Sequence, residues 1–260
     1  MPELTTATGQ RIYYQRIKGE RDLPTLVFLH EGLGCVAMWD DFPSRLCGQT
    51  GCPGLVYDRV GYGRSSPLQQ KRTVHYLHEY ALVELPLVLE RLLPGSAVIL
   101  VGHSDGGSIA LIYAAERSSR LLGTITEAAH VYVDDETLAG IALAEKAWHQ
   151  GKLGGLMKYH GEKTEELFWA WAETWQTSWF RSWNIEYLLP SISIPLLVIQ
   201  GENDQYGTLA QVDAIVSASS GKTRFQIVED CGHIPHTDAP ARVLDSMSAF
   251  IGEWLKHQNS

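Results

Sequence analysis

Ser104 sits in Gly102-His103-Ser104-Asp105-Gly106, a Gly-x-Ser-x-Gly turn. A serine hydroxyl becomes a useful nucleophile only when a base takes its proton and an acid holds that base in one tautomer. Both kinds of partner lie downstream. Gln200-Gly201-Glu202-Asn203-Asp204-Gln205 carries two acids, and Glu229-Asp230-Cys231-Gly232-His233-Ile234-Pro235-His236 carries two histidines. Glu127 is a third candidate acid. Those residue types together point to nucleophilic attack by a serine.

The elements around them have to position these groups. Val98-Ile99-Leu100-Val101 reads as a buried strand, and the residues after the turn, through Leu111 and Ala115, open a small-residue helix. Strand, Gly-x-Ser-x-Gly and helix in immediate succession form a nucleophile elbow. Such a turn holds Ser104 in a strained conformation with its hydroxyl exposed, and Gly102 and Gly106 leave room for strand and helix to close on it. The N–H of Asp105, at the helix start, then points where an oxyanion would form. The acids after Ile199 and the histidines after Val228 each follow an apolar run, just past a strand's C-terminal end.

Other strands are expected at 25–29, 54–58 and 121–126, with an antiparallel edge strand within 8–19. Helices are expected at 38–47, 74–93 with a kink or break at Pro86, 207–218 and 240–256. This alternation implies a mostly parallel sheet. Residues 130–190 break the rhythm and hold six of the eight tryptophans. Spacings of four put Trp171, Trp175, Trp179 and Trp183 along one drifting helical face. Most of these rings would fill the insertion's own core, and one or two, with Trp171 and Trp175 the candidates, would roof a pocket.

At 260 residues, 45% hydrophobic and 20% charged, the chain can bury a sizeable core. A net charge of −9 with no Lys/Arg run argues against nucleic acid or an anionic membrane surface as partner. Cys35, Cys47, Cys52 and Cys231 form no CxxC pair and no zinc-ligand cluster, so they read as buried free thiols in a reducing, cytoplasmic setting. The N-terminus shows neither a signal peptide nor a span. Gly61-Tyr62-Gly63 lacks the third glycine of a dinucleotide loop, Ser66 standing there.

Five motifs in order resemble the α/β-hydrolase superfamily: His30-Glu31-Gly32-Leu33-Gly34, Asp58-Arg59-Val60-Gly61-Tyr62-Gly63-Arg64-Ser65, Gly102-His103-Ser104-Asp105-Gly106-Gly107, Gly201-Glu202-Asn203-Asp204 and Gly232-His233. The resemblance implies a mostly parallel eight-stranded α/β sheet with helices on both faces. It places the core in 1–129 and 191–260, and a helical lid in 130–190 after the sixth strand. It implies Ser104 as nucleophile, Asp204 as orienting acid and His233 as base, with Glu202 and Glu127 as rival acids and His236 as rival base. The oxyanion hole would join the N–H groups of Asp105 and Gly32, with Leu33 as fallback.

Two carboxylates depart from the family pattern. Glu31 stands where glycine is usual, and is expected to turn outward or to bond the lid, an inward pose requiring a cationic partner. Asp105 stands where an apolar or amide residue is usual. It is either a helix-start acid or a carboxylate that draws a cationic or amino-bearing substrate. Glu31 and Leu33 join the two tryptophans as candidate substrate contacts. His30 and His103 are expected to bond loop backbone near the site, and His75, His78, His130, His149, His160 and His257 to be surface or lid residues.

The implied activity is hydrolysis of a small-molecule carboxylic ester, with lactones or thioesters as variants, needing no cofactor and no metal. Dehalogenation would need a carboxylate where Ser104 stands. Carbon–carbon bond hydrolysis of ring-cleavage products uses the same triad, and a ligand receptor on this fold is the alternative from another class.

Overall fold

The computed structural model describes residues 2–258. Eight strands form one sheet: β1 (Glu3–Thr5), β2 (Arg11–Ile17), β3 (Thr25–Leu29), β4 (Gly54–Tyr57), β5 (Val98–His103), β6 (Leu121–Glu127), β7 (Leu196–Gly201) and β8 (Thr223–Val228). Their spatial order is β1-β2-β4-β3-β5-β6-β7-β8. β1–β2 and β2–β4 pair antiparallel, and every other pair is parallel. Every residue of β3 and β5 is buried, as their unbroken apolar runs require when both faces are covered.

One face packs under the helices Leu85–Leu92, Asp105–Ala115 and Leu209–Ala218, through Val88, Ile109 and Ile215 among others. Phe42–Thr50 and Pro240–Gln258 cover the other through Phe42, Leu46, Val243 and Met247. All four cysteines are free and buried. Among the described residues no helix is long and apolar enough to cross a membrane.

Local departures from the sequence expectation have physical causes. β2 is not the edge strand, because the three-residue β1 pairs outside it and is too short to leave a pattern. The helix expected at 38–47 divides into a 3-10 turn (Val36–Trp39) and an α-helix from Phe42, parted by Asp40 at φ 48°. The 74–93 segment is helical from Tyr76 but widens to a π turn over Tyr80–Glu84 just before Pro86. Proline has no N–H to return to the preceding turn and its ring crowds that turn, and the widened turn accommodates both.

Between β6 and β7 the helices Asp135–His149 and Thr164–Gln176 pack together, with Trp148 stacked on Phe168 at 4.3 Å. A bridge between Tyr132 and Asn184 closes the two ends of this insertion. The second helix stops at Gln176, where Thr177 turns extended, so the fourfold tryptophan stripe stops with it. Trp179 is 44% exposed, while Trp183 is buried and stacks on Phe180.

The elbow is held by contact distances that tolerate no side chain. A Cβ on Gly102 would lie 2.2 Å from the Gly106 carbonyl oxygen, and one on Gly106 would lie 2.0 Å from the Leu29 carbonyl oxygen. Both obstacles are backbone. Gly106→Ala should therefore lower stability by at least about 1–3 kcal/mol, read as the midpoint of urea denaturation. An unchanged midpoint would mean that the β3–β5 crossing yields.

Candidate active site

Ser104 sits between β5 and its helix at φ 52° and ψ −116°, a region non-glycine residues rarely occupy. Its N–H donates to the Glu127 carbonyl at 2.8 Å, which ties the strained residue to the end of β6. Its hydroxyl donates to His233 Nε2 at 2.9 Å. His233 Nδ1 in turn donates to Asp204 at 2.8 Å and 2.9 Å from its two oxygens. Gln200 Nε2 and the Tyr206 N–H also donate to that carboxylate, at 2.7 Å and 2.8 Å. Burial works to raise the Asp204 carboxyl, but the His233 and Tyr206 hydrogen bonds hold it below the usual carboxylate range. An ionised Asp204 only accepts, so the imidazole hydrogen resides on Nδ1 and Nε2 faces the serine.

The structure thus places Asp204 on His233, and neither rival acid there. Glu127 pairs with His236, 2.5 Å from its Nδ1, in a fully buried contact on which the Trp39 ring stacks at 4.5 Å. Among the described residues Glu202 accepts from the backbone N–H of Asp230 alone, at 3.4 Å. The loop bearing His233 is fixed from two further directions. His103 Nε2 donates to the His233 carbonyl at 2.7 Å, and the Gly232 N–H donates to Asp238 at 2.9 Å.

A cavity of about 180 Å³ opens on Ser104 and His233. Gly32 and Asp105 line it, and among the described residues no acceptor takes either backbone N–H. An oxygen that became anionic beside Ser104 would meet two uncommitted donors there. Among the described residues no three His, Cys, Asp or Glu side chains are grouped to hold a metal ion. A buried serine, an imidazole and an ionised acid in this order can raise the nucleophilicity of the hydroxyl and return its proton to a leaving group.

Residues 26–246 match the alpha/beta hydrolase family. The chain belongs to this family. Proline iminopeptidase of Thermoplasma volcanium is 34% identical over 120 residues, a match that covers 45% of this chain and 38% of that protein. Human monoglyceride lipase is 22% identical over 280 residues, covering all of this chain and 91% of the lipase. Among solved structures, the enol-lactonase of Burkholderia xenovorans aligns with a TM-score of 0.75 at 19% identity. That alignment covers 96% of this chain and 100% of the lactonase and is a likeness of fold.

The four other candidate contacts all reach the alpha/beta hydrolase cavity: Glu31, Leu33, Trp171 and Trp175. Trp171 lies so close that a Cβ on Gly32 would be 2.6 Å from its Nε1. The Trp175 Nε1 donates to the Tyr76 hydroxyl at 2.9 Å, and that hydroxyl donates to Asp105 Oδ2 at 2.9 Å. Asp105 is therefore more than a helix-start acid: its side chain is buried at the cavity wall.

Glu31 is half-buried and lines the cavity, and burial pushes its carboxyl above the ordinary range, with His233 and His236 opposing and Asp105 reinforcing.

His30 and His103 do bond backbone, as expected. His130 and His160 lie within 130–190, in keeping with the surface-or-lid expectation, and both are buried. His130 lines the cavity and donates from Nε2 to the Tyr206 carbonyl at 2.8 Å, and burial, with His233 nearby, lowers its pKa. His160 accepts the Gly63 N–H at 2.9 Å and donates to the Leu33 carbonyl at 2.8 Å, joining the insertion to both loops. Tyr76, Gln205 and Tyr206 belong to the site and carried no motif that could have singled them out.

Labelling by a fluorophosphonate reads the activation of Ser104 directly. Ser104→Ala should abolish it, and Asp204→Asn should slow it by roughly 10³-fold or more because the imidazole loses its orienting anion. Glu127→Gln should slow it less than about tenfold. The reverse ranking of the two acids would move the orienting role to β6.

Proposed function

We propose that the protein is a serine hydrolase of small carboxylic esters. The observation that carries the reading is the 2.9 Å contact of Ser104 with His233 at the wall of a cavity also lined by Gly32 and Asp105, whose N–H groups meet no acceptor among the described residues. In this mechanism Ser104 attacks the ester carbonyl as His233 Nε2 takes its proton. The two N–H groups hold the tetrahedral oxyanion, and Asp204 stabilises the imidazolium. His233 then protonates the leaving alcohol, and a water repeats the sequence to release the acid from Ser104. The family's esterase and lipase relatives support this chemistry, and the cavity volume favours short acyl groups.

The helices between 130 and 190 act as a lid over the core formed by 1–129 and 191–260. Its support is the docking of Trp171 and Trp175 over the cavity, together with three hydrogen bonds from Lys163 Nζ to the carbonyls of Tyr62, Gly63 and Ser65. Among the described residues no Lys or Arg lines the cavity, whereas the carboxylate residue Asp105 does. Substrates with neutral or cationic acyl groups are therefore favoured over anionic ones.

A panel of p-nitrophenyl esters with matched amino, neutral and carboxylate acyl groups tests both parts. Turnover of the short neutral ester is expected, with kcat/KM for the carboxylate ester lower by on the order of a hundredfold. Asp105→Asn should narrow that gap while retaining turnover, since its N–H remains. Absence of any ester turnover would remove the esterase reading, and equal ratios in both proteins would remove Asp105 from substrate choice.

A further inference from the structure

Arg59 is completely buried, and among the described residues no carboxylate pairs with it. A guanidinium out of water needs donors satisfied, and here both terminal nitrogens donate to backbone while Nε meets no acceptor among the described residues. Nη1 donates to the His30 carbonyl, and Nη2 donates to the Glu31 carbonyl at 2.8 Å. The cation lies against the rings of Tyr62 and Tyr80, 4.6 Å and 5.2 Å from their centroids. Its acidic neighbours are committed elsewhere: Glu84 accepts the Val60 N–H at 3.0 Å, and Asp105 accepts the Tyr76 hydroxyl.

The Glu31 carbonyl collects two more donors. The Gly34 N–H reaches it at 3.2 Å and His30 Nδ1 at 2.8 Å. The His30 tautomer follows from its other nitrogen, which accepts the Arg59 backbone N–H at 3.1 Å and so leaves the ring hydrogen on Nδ1. Burial holds the His30 pKa well below its ordinary value, which keeps the ring neutral in that role.

The Glu31–Gly32 peptide is trans, so its carbonyl and its N–H point in opposite directions. A carbonyl fixed toward Arg59 aims the Gly32 N–H away from Arg59, and Gly32 lines the cavity beside Ser104. Three donors on the oxygen, one of them charged, also draw electron density from the amide and make its N–H a stronger donor.

We propose that Arg59 is a positioning residue of the oxyanion hole, fixing and polarising the Glu31–Gly32 peptide so that the Gly32 N–H meets the charge developing on the substrate oxygen. This rests on the ester-hydrolase reading above. It gives the Asp58-Arg59 motif a division of labour: Asp58 shapes the loops by accepting the N–H groups of Val36 and Arg64, and Arg59 sets the donor peptide.

Arg59→Lys keeps the charge but lacks the fork that reaches both carbonyls. With a neutral p-nitrophenyl ester, kcat should fall about tenfold to hundredfold while KM stays within about twofold. The affinity for phenylboronic acid, whose adduct on Ser104 places an anionic oxygen in the hole, should fall by the same factor. In Arg59→Gly, added methylguanidinium should recover part of kcat. The amide resonance of Gly32 should move in Arg59→Lys while that of Asp105 stays.

A folded Arg59→Lys protein with kcat, boronate affinity and the Gly32 resonance all unmoved overturns the proposal, as does a loss confined to KM. If neither variant folds, the wild type decides. Its Glu31 carbonyl carbon should be deshielded beyond those of Leu33 and Gly34, and an ordinary value there overturns the proposal. Wild-type protein that turns over no ester strikes the ester reading instead, and the Gly32 resonance then tests Arg59 alone.

Discussion

The approach of Gly106 to the Leu29 carbonyl brings the helix after β5 against the end of β3, with room for hydrogen alone between them. That contact forces the chain at Ser104 into a positive-φ turn, and the strain is held by the backbone bond to Glu127. It also brings the loop after β3, with Gly32, to the same cavity as the N–H of Asp105. The conformation of Ser104 and the placing of Gly32 and Asp105 beside it are therefore products of one packing constraint. Loosening it would displace all of them together.

The electrostatic design beside that turn separates two histidine–carboxylate pairs. Asp204 takes His233 and Glu127 takes His236, each in a buried contact, with His103 packed between the two imidazoles at 5.2 Å and 5.0 Å. Burial keeps His103 neutral, with His236 and His233 adding to that effect, so it serves as a hydrogen-bond donor to the His233 backbone. The Trp39 ring closes the His236 side.

The insertion is fastened to the core by polar contacts as well as by rings. His160 and Lys163 reach the loops after β3 and β4, the same loops that Arg59 and Asp58 organise. The insertion and the loop after β3 thus share supports. Trp175 couples them further through Tyr76 to Asp105, the residue beside the nucleophile.

The sequence by itself determined the sheet, because unbroken apolar runs such as 25–29 and 98–101 can only be buried on both faces. It determined the elbow as well, since glycines flanking a serine between strand and helix leave one geometry. Asp204 and His233 were legible because each follows a strand's C-terminal end. Their selection over Glu127 and His236 was not, for four such groups at neighbouring strand ends allow more than one pairing and only the packed loops choose. The backbone partners of the buried His130 and His160 and the tie from Tyr76 to Asp105 were equally invisible, because they join residues 29 to 127 positions apart in the chain. Local pattern encodes burial and turn geometry, but a hydrogen-bond partner across the fold leaves no periodic trace, and the tertiary structure alone decides it.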